Sequence, residues 1–473
     1  MTDGGRGDGR SRGVGGERTP VSITAHAGKP SGPPAAAGWR RVEALLALGA
    51  FAAMCVLALS FTPDLAEPDD YAYHASIVAM TQRHFLTLST AQYQALAGQP
   101  TPPPGTPGGI PQWTQLADGR WISQKDPGYP FLAAPFQALG VIRLAPLFYG
   151  ALACLGLFFG GRRWLGRFGG AAAVGLYCSS GAALLFAWRD YMATFTDASL
   201  VAAGTGALLW AVLATDARPR RRTWTGLAGF IALEAAAFTR YTDIVVLGCA
   251  AVAALAAWRV PAVRLPRAVL GCWLGSAVVF AAGMALFDAL VYGGPLKSAY
   301  PPGLIKFSLS AVLPNVRNDM PAHIIEAMPM LILGLTAVAW IAWRWARRRR
   351  TGGEAAASAR RDAAACLALA ASWAATWGLY VSYTWTTFPG LAAVDVARFY
   401  VPAIGPIALL SAWLLVRVPR RAPVAALTCV AVVVAMFGLG AWSYASMRDS
   451  LLGPCSMQHP CPIHREQSRT LRE

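Results

Sequence analysis

The amino-acid sequence predicts an all-α, polytopic transmembrane protein with about eleven spans. Of its 473 residues, 55% are hydrophobic and only 14% are charged, and the mean hydropathy is +0.42. A water-soluble protein of this size carries about a quarter charged residues. Apolar runs long enough to cross about 30 Å of hydrocarbon recur along the whole chain, which excludes a single anchor with a soluble head.

The spans are predicted where long apolar runs lie between polar or basic segments. We place them at 42–61, 144–160, 170–187, 196–214, 225–238, 243–258, 268–291, 328–345, 363–383, 400–416 and 423–442. Residues 1–38 are rich in Gly, Arg, Ser and Pro and cannot bury enough apolar surface to fold, so we expect a disordered cytoplasmic tail. The first apolar run is expected to stay as a helix, because it begins too late for a cleaved signal peptide.

Basic clusters fall on every second predicted loop and set the expected topology. They are GRRWLGR (161–167), RPRRR (218–222), WRVPAVRLPR (258–267), RWARRRR (344–350) and RVPRR (417–421). The positive-inside rule places these loops and the N-terminal tail in the cytoplasm, and an odd number of spans then places the C-terminus outside. We therefore interpret the formal charge of +17 as a topology signal in a plasma-membrane protein, not as a surface for nucleic acid.

Two of the predicted outer loops are long, and both belong to a transmembrane domain at 39–443. The first loop, 62–143, is expected to contain interfacial helices. Four of its apolar residues recur at helical spacing: Val78, Phe85, Leu88 and Leu96. The segment KDPGYPFLAAPFQALG (125–140) predicts a further interfacial or re-entrant helix, after a loop at 100–111 that proline and glycine keep irregular. The second long loop is 292–327.

The outer loops collect charged side chains of both signs near helix ends. The set includes Asp69, Asp70, Lys125, Arg189, Arg240, Lys297 and Arg398. Headgroup contacts and helix-end salt bridges explain any one of these residues, but mixed charges gathered on one side favour pairing around a shared cavity. We expect Asp69 and Asp70 to lie beside such a cavity, within reach of Arg240 or Arg398.

The order of motifs along the chain resembles a known superfamily. An adjacent acidic pair, Asp69 and Asp70, can supply a general base whose partner tunes its pKa or holds a metal ion. Tyr73 and KDPGYPFLAAPFQALG follow, and FTRYTD (238–243), YGGPLKSAY (292–300) and RFYVPAIGPIALL (398–410) come later. This order resembles the C-type glycosyltransferases (GT-C), particularly bacterial members similar to protein O-mannosyltransferases and aminoarabinose transferases.

The resemblance implies transfer of a sugar from a polyprenyl-phosphate donor to an acceptor hydroxyl of a glycan, lipid or protein, on the outer face of the cytoplasmic membrane. Asp69 would be the base that deprotonates the acceptor, and Asp70 would orient that base or bind the acceptor. Cations aimed at the leaving phosphate would stabilise the charge that builds there. The candidates for substrate binding are Arg240 and Arg398, followed by Lys125, Arg189 and Lys297, together with Tyr73. A structural ion pair explains each cation equally well.

Two further features are open to more than one interpretation. Asp70 stands where relatives usually have Glu, so a divalent metal ion stays possible but is not implied. Glu234, inside the fifth predicted span, must be protonated, paired or next to a wet cavity, and a buried structural hydrogen bond is the simplest explanation.

The segment at 444–473 is expected to be an extracytoplasmic tail. Cys455 and Cys461 are expected to form a disulfide there, because the outer compartment is oxidising. Zinc ligation with His459 and His464 is a weaker alternative, because the spacing matches no common zinc site.

Two other functions compete with the transferase. A transporter or flippase for a lipid-linked sugar also needs charged side chains among its helices, but the polar residues here gather at one face and no internal repeat is evident. A non-catalytic protein of envelope assembly could keep the fold without the reaction.

Overall fold

The computed structural model describes residues 35–60, 68–82, 87–97, 110, 112–259, 265–295, 297–298, 300, 306–318, 320–348, 353–388, 391, 393–418 and 422–451. Cys455, Cys461, His459 and His464 lie outside the described residues, as do 1–34. The expected disulfide and the disordered N-terminal tail therefore stay predictions.

The fold is all-α apart from one small sheet, as the sequence predicted. The helices of the described residues are α1 (Ala35–Leu59), α2 (Pro68–Thr81), α3 (Thr90–Ala97), α4 (Gly128–Ala138), α5 (Leu144–Leu165), α6 (Gly169–Cys178), α7 (Gly181–Phe186), α8 (Ala193–Leu213), α9 (Pro219–Thr239), α10 (Ile244–Arg259), α11 (Arg267–Tyr292), α12 (Val312–Arg317), α13 (Met320–Ala327), α14 (Leu331–Arg348), α15 (Gly353–Val381), α16 (Ala393–Ala397), α17 (Ile404–Arg417) and α18 (Ala422–Leu451). The strands are β1 (Thr87–Leu88), β2 (Trp113–Gln115) and β3 (Trp121–Ser123).

Every predicted span coincides with a helix or a broken helix. By length and composition, 7 helical segments of the described chain can cross a membrane, and they belong to α1, α5, α8, α10, α11, α15 and α18. If the pair α13 and α14, which is bent by 96°, is counted as one span, the number of such segments in the described chain rises to 8. The remaining predicted spans correspond to α6 with α7, to α9 and to α17, which are shorter or more polar. The total of eleven spans stays a prediction.

The first long predicted loop contains helices, as expected, but its chain path differs from the expectation. Val78 lies in α2, Leu88 in β1 and Leu96 in α3, whereas Phe85 is outside the described residues. The idea of one amphipathic helix through these four positions is therefore wrong. The apolar side chains instead cover each other, because β1 and β2 pair antiparallel with β3 and the sheet buries Trp113 against Ala72 of α2.

Two interrupted helices meet inside the bundle, and serine side chains satisfy backbone carbonyls there. The α6–α7 break contains Ser180, whose hydroxyl donates to the carbonyl of Ala327 at 3.4 Å. At the bend between α13 and α14, Ser411 donates to the Met330 carbonyl at 3.0 Å. Carbonyls freed from a helix in an apolar interior need such partners, so the interruptions are built into the packing.

Two of the basic clusters, 161–167 and 417–421, contact each other at one end of the bundle, and Arg361 of α15 joins them. Arg361 at the start of α15 donates to the carbonyl of Arg163 at 3.0 Å, and Arg417 at the end of α17 donates to the carbonyl of Trp164 at 3.1 Å. Loops that lie so close share one membrane face. The candidate site lies at the other ends of these helices.

The helices α5 and α8 pack with their backbones in contact, which only small residues permit. A Cβ atom at Gly206 of α8 would lie 2.3 Å from the carbonyl of Gly156 in α5. A Cβ atom at Gly160 would lie 2.5 Å from the Gly206 oxygen. Since α8 leads directly into the site, this contact fixes where the site residues of α8 stand.

We expect Gly206→Ala to lower the free energy of unfolding by about 3 kcal/mol, because the new methyl group meets backbone that cannot rotate away. Gly248→Ala is the matched control, since no atom lies within 4 Å of a Cβ at Gly248. That control should be neutral or stabilising by up to about 1 kcal/mol through helix propensity. The measurement is thermal unfolding of both purified variants in detergent, and equal melting temperatures would contradict the close α5–α8 packing.

Candidate functional site

The two adjacent aspartates open α2. Pro68 is the first residue of that helix, a position proline favours, and Asp69 and Asp70 follow in the first turn, where carboxylates interact well with the helix dipole. Successive side chains on a helix point about 100° apart. Asp69 and Asp70 therefore meet different surroundings although they are neighbours in sequence.

Asp69 is the centre of a cluster with two cations. Its Oδ1 lies 2.9 Å from Lys125 Nζ, and its Oδ2 lies 3.2 Å from an Nη of Arg398. Gln112 donates from Nε2 to Oδ1 at 2.9 Å. The exposed fractions of the three charged side chains are 15%, 11% and 10% for Asp69, Lys125 and Arg398. The proximity of Asp69 to Arg398 agrees with the sequence-based expectation.

The cations keep Asp69 ionised although it is buried. Burial alone would raise the pKa of the Asp69 carboxyl, but Lys125 and Arg398 together hold that pKa well below its usual range. Conversely, burial would lower the pKa of Lys125, but Asp69 holds it above its usual range. The cluster thus carries two positive charges and one negative charge at neutral pH.

Aromatic side chains support both cations. The Arg398 guanidinium lies over the rings of Trp385 and Phe399, 5.2 Å and 5.0 Å from their centroids. Lys125 Nζ donates to the Tyr300 hydroxyl at 3.2 Å. Such contacts fix the direction in which each cation points. Next to Lys125 lies a cavity of about 20 Å³, which is the size of one water molecule.

Arg240 supports the cluster from the bundle side. It donates from Nη1 to the backbone carbonyl of Arg398 at 3.1 Å and from Nη2 to Thr194 Oγ1 at 3.3 Å. Its Nε lies 3.4 Å from the buried carboxylate of Asp197 in α8. These contacts therefore connect Arg240 to Asp69 through the segment that carries Arg398.

Asp70 points into the protein. It forms an ion pair with Arg189, and the exposed fractions of the two side chains are 3% and 1%. Tyr129 donates its hydroxyl to the backbone carbonyl of Asp190, the residue after Arg189. Burial raises the pKa of the Asp190 carboxyl to about 7. This arrangement suits an anchor for the start of α2, and the predicted roles of Asp70 and Arg189 in substrate handling stay predictions.

The remaining predicted residues lie at different distances from the cluster. Tyr73 is buried on α2 with its ring edge-on to Tyr129, 5.5 Å between centroids, and its phenol faces the same group of charges as Asp69. Lys297 is exposed and forms no ion pair with another described residue. Glu234 is buried and lies close to Ser276 of α11, and the expected structural hydrogen bond stays a prediction.

Three members of the site were not predicted as site residues. Gln112 follows the proline-rich segment 100–111, where no sequence pattern indicates its position. Tyr300 contacts Lys125 across 175 residues of chain. Asp126 accepts the backbone N–H of Tyr241 at 3.1 Å, and burial raises its pKa to about 6. Its position directly after Lys125 was the one signal that could have found it.

The cluster does not fit a divalent metal ion. Both carboxylate oxygens of Asp69 contact cationic side chains, and those charges repel a metal cation. Within the described part of the chain, no three His, Cys, Asp or Glu side chains are arranged to hold one. We therefore derive no chemical step from a metal.

No protein-family model matches the chain, and no curated protein matches it. Among solved structures, it is similar to the apo oligosaccharyltransferase of Archaeoglobus fulgidus, with 12% identity and a TM-score of 0.49 over 90% of this chain and 60% of that one. It is similar to apo ArnT from Cupriavidus metallidurans, with 15% identity and a TM-score of 0.48 over 93% of this chain and 69% of that one. A structure of the same ArnT bound to undecaprenyl phosphate matches at 16% identity and a TM-score of 0.48, over 92% of this chain and 73% of that one.

The chain spans about 60% of the length of the archaeal oligosaccharyltransferase.

We expect Arg189→Met to cost about 3–5 kcal/mol of unfolding free energy, because it leaves the Asp70 carboxylate buried without its cation. The double variant Asp70→Asn with Arg189→Met should recover part of that loss. Arg120→Met is the control, since Arg120 pairs with Asp118 at the surface, where such pairs contribute about 0–1 kcal/mol. Chemical or thermal unfolding of the purified variants measures the effect, and an Arg189→Met protein as stable as Arg120→Met would refute the anchor.

Proposed function

We propose that this protein is a membrane glycosyltransferase that moves a sugar from a polyprenyl-phosphate donor to an acceptor hydroxyl. One observation carries the proposal: a carboxylate, Asp69, and two cations, Lys125 and Arg398, converge at one end of a bundle of membrane-spanning helices. Transfer from a phosphate-linked sugar needs a group that takes a proton and groups that stabilise a phosphate.

The cations suit the leaving phosphate. As the bond between sugar and phosphate breaks, negative charge builds on the phosphate oxygen, and positive side chains fixed nearby stabilise that charge. Arg398 offers a rigid fork of donors and Lys125 a compact charge. Because both are held by aromatic rings, little reorganisation is required when the charge develops.

Asp69 suits the acceptor hydroxyl. In the proposed step the acceptor oxygen forms a bond to the anomeric carbon, the bond from that carbon to the phosphate oxygen breaks, and the acceptor proton moves to Asp69. The electron pair of the broken bond stays on the phosphate. Asp70 lies beside the base in the first turn of α2 and holds that turn through Arg189.

The surroundings suit a lipid donor. At the outer end of α11, Leu286 and Leu290 have exposed fractions of 60% and 72%. Asp288 between them accepts the hydroxyl of Tyr241, whose backbone N–H binds Asp126 next to Lys125. An apolar chain along α11 would thus place its phosphate close to the cluster. We propose that this end faces outward, with the basic clusters in the cytoplasm of a plasma-membrane protein.

A transporter or flippase is favoured by one observation, the pair of interrupted helices at α6–α7 and α13–α14. At the α13–α14 interruption, the carbonyls of Ala327 and Met330 already accept the hydroxyls of Ser180 and Ser411. A substrate pathway would need such groups free, so the transferase is the better supported function.

We expect Asp69→Asn to lower the rate of sugar transfer by about 10²- to 10⁴-fold, because the amide keeps the shape of the carboxylate but cannot accept a proton. The measurement is transfer from a polyprenyl-phosphate sugar by purified protein in lipid. Asp118→Asn, at an exposed turn outside the site, should leave the rate unchanged. Full transfer by Asp69→Asn would remove the base assignment.

We expect Arg398→Ala to weaken donor binding about 10- to 100-fold, the usual effect of losing a hydrogen bond to a charged group, and to lower turnover further because the same contact strengthens in the transition state. Donor binding and single-turnover transfer are measured separately, with Arg120→Ala as the surface control. Unchanged donor binding would show that the phosphate lies elsewhere.

A further inference from the structure

We infer that the Asp69 carboxylate occupies the position beside Lys125 and Arg398 that the donor phosphate later takes. Donor binding and release of Asp69 from the two cations are then a single event. The inference rests on the proposed function and concerns the order of events in the same site. It predicts that the carboxylate competes with the phosphate for the two cations until it takes up a proton.

The two cations already share one carboxylate. Asp69 uses both oxygens, Oδ1 for Lys125 and Gln112 and Oδ2 for Arg398, at 2.9 to 3.2 Å. A phosphate that contacts both cations must therefore share them with Asp69 or replace its oxygens.

The charges of the cluster balance through the reaction. Lys125 and Arg398 carry two positive charges, and Asp69 carries one negative charge. A phosphodiester donor adds a second negative charge, so the sum is zero. When Asp69 takes up the acceptor proton, the carboxylate becomes neutral, and the leaving phosphate gains one negative charge. The sum stays zero, while the partner of the cations changes from Asp69 to the phosphate.

This exchange also controls basicity. While both cations contact Asp69, the pKa of its carboxyl stays well below the usual range, and the group is a weak base. A bound phosphate draws the positive charges away and makes the carboxylate more basic. The acceptor is then deprotonated only when the donor is in place.

A purely structural ion pair predicts the opposite behaviour. Asp69 joins α2 to the segments that carry Lys125 and Arg398, and Arg398 follows Asp69 in the chain by 329 residues. If its role were only to hold these segments together, its removal would misplace both cations, and an anion would bind less tightly.

The test is binding of polyprenyl phosphate, without sugar or acceptor, to the full-length protein in lipid nanodiscs. Asp69→Asn should bind it about tenfold more tightly than the wild type, or better, because a like charge beside the phosphate is gone. Asp118→Asn should bind as the wild type does. Adding Lys125→Met to Asp69→Asn should remove the gain, since the cation itself is then missing.

The outcomes separate this inference from the proposed function. Tighter binding by Asp69→Asn supports the exchange even if the wild type transfers no sugar, in which case the transferase proposal fails alone. Equal or weaker binding by Asp69→Asn overturns the exchange. If the wild type then still transfers sugar and Asp69→Asn does not, the transferase proposal survives without the exchange.

Discussion

The interaction on which the site depends is the contact of the Asp69 carboxylate with Lys125 and Arg398. It joins the start of α2, the segment after β3 and the segment after α16, which are far apart in sequence. Burying one of these charges alone would be costly, but together they offset most of that cost. The same contacts that hold the outer loop on the bundle therefore also gather the groups that a phosphate requires.

The neighbouring Asp70 shows how one turn of helix places adjacent side chains in different surroundings. It has the same side chain as Asp69 and is one residue away, yet it lies in the interior with Arg189. Arg240 has a comparable supporting place, because its guanidinium binds the backbone of Arg398 and the carboxylate of Asp197. The Asp69 carboxylate and its two cations are thus surrounded by charged residues whose contacts keep them in position.

Much of this arrangement could be predicted from local sequence patterns. Each apolar run that was predicted as a span coincides with a helix or a broken helix. The alternation of basic loops predicted that Asp69, Lys125 and Arg398 lie on one face. The pairing of Asp70 with Arg189 and the place of Gln112 could not be predicted, since both depend on contacts between distant segments. The small sheet was missed for a related reason, because strands of two or three residues are too short for a period to show.

The most direct test of the account is an experimental structure of the protein with polyprenyl phosphate bound. The account predicts phosphate oxygens within hydrogen-bonding distance of Lys125 Nζ and the Arg398 guanidinium, with the Asp69 carboxylate moved away from at least one of them. A phosphate bound elsewhere, with both ion pairs of Asp69 intact at 2.9 and 3.2 Å, would contradict it.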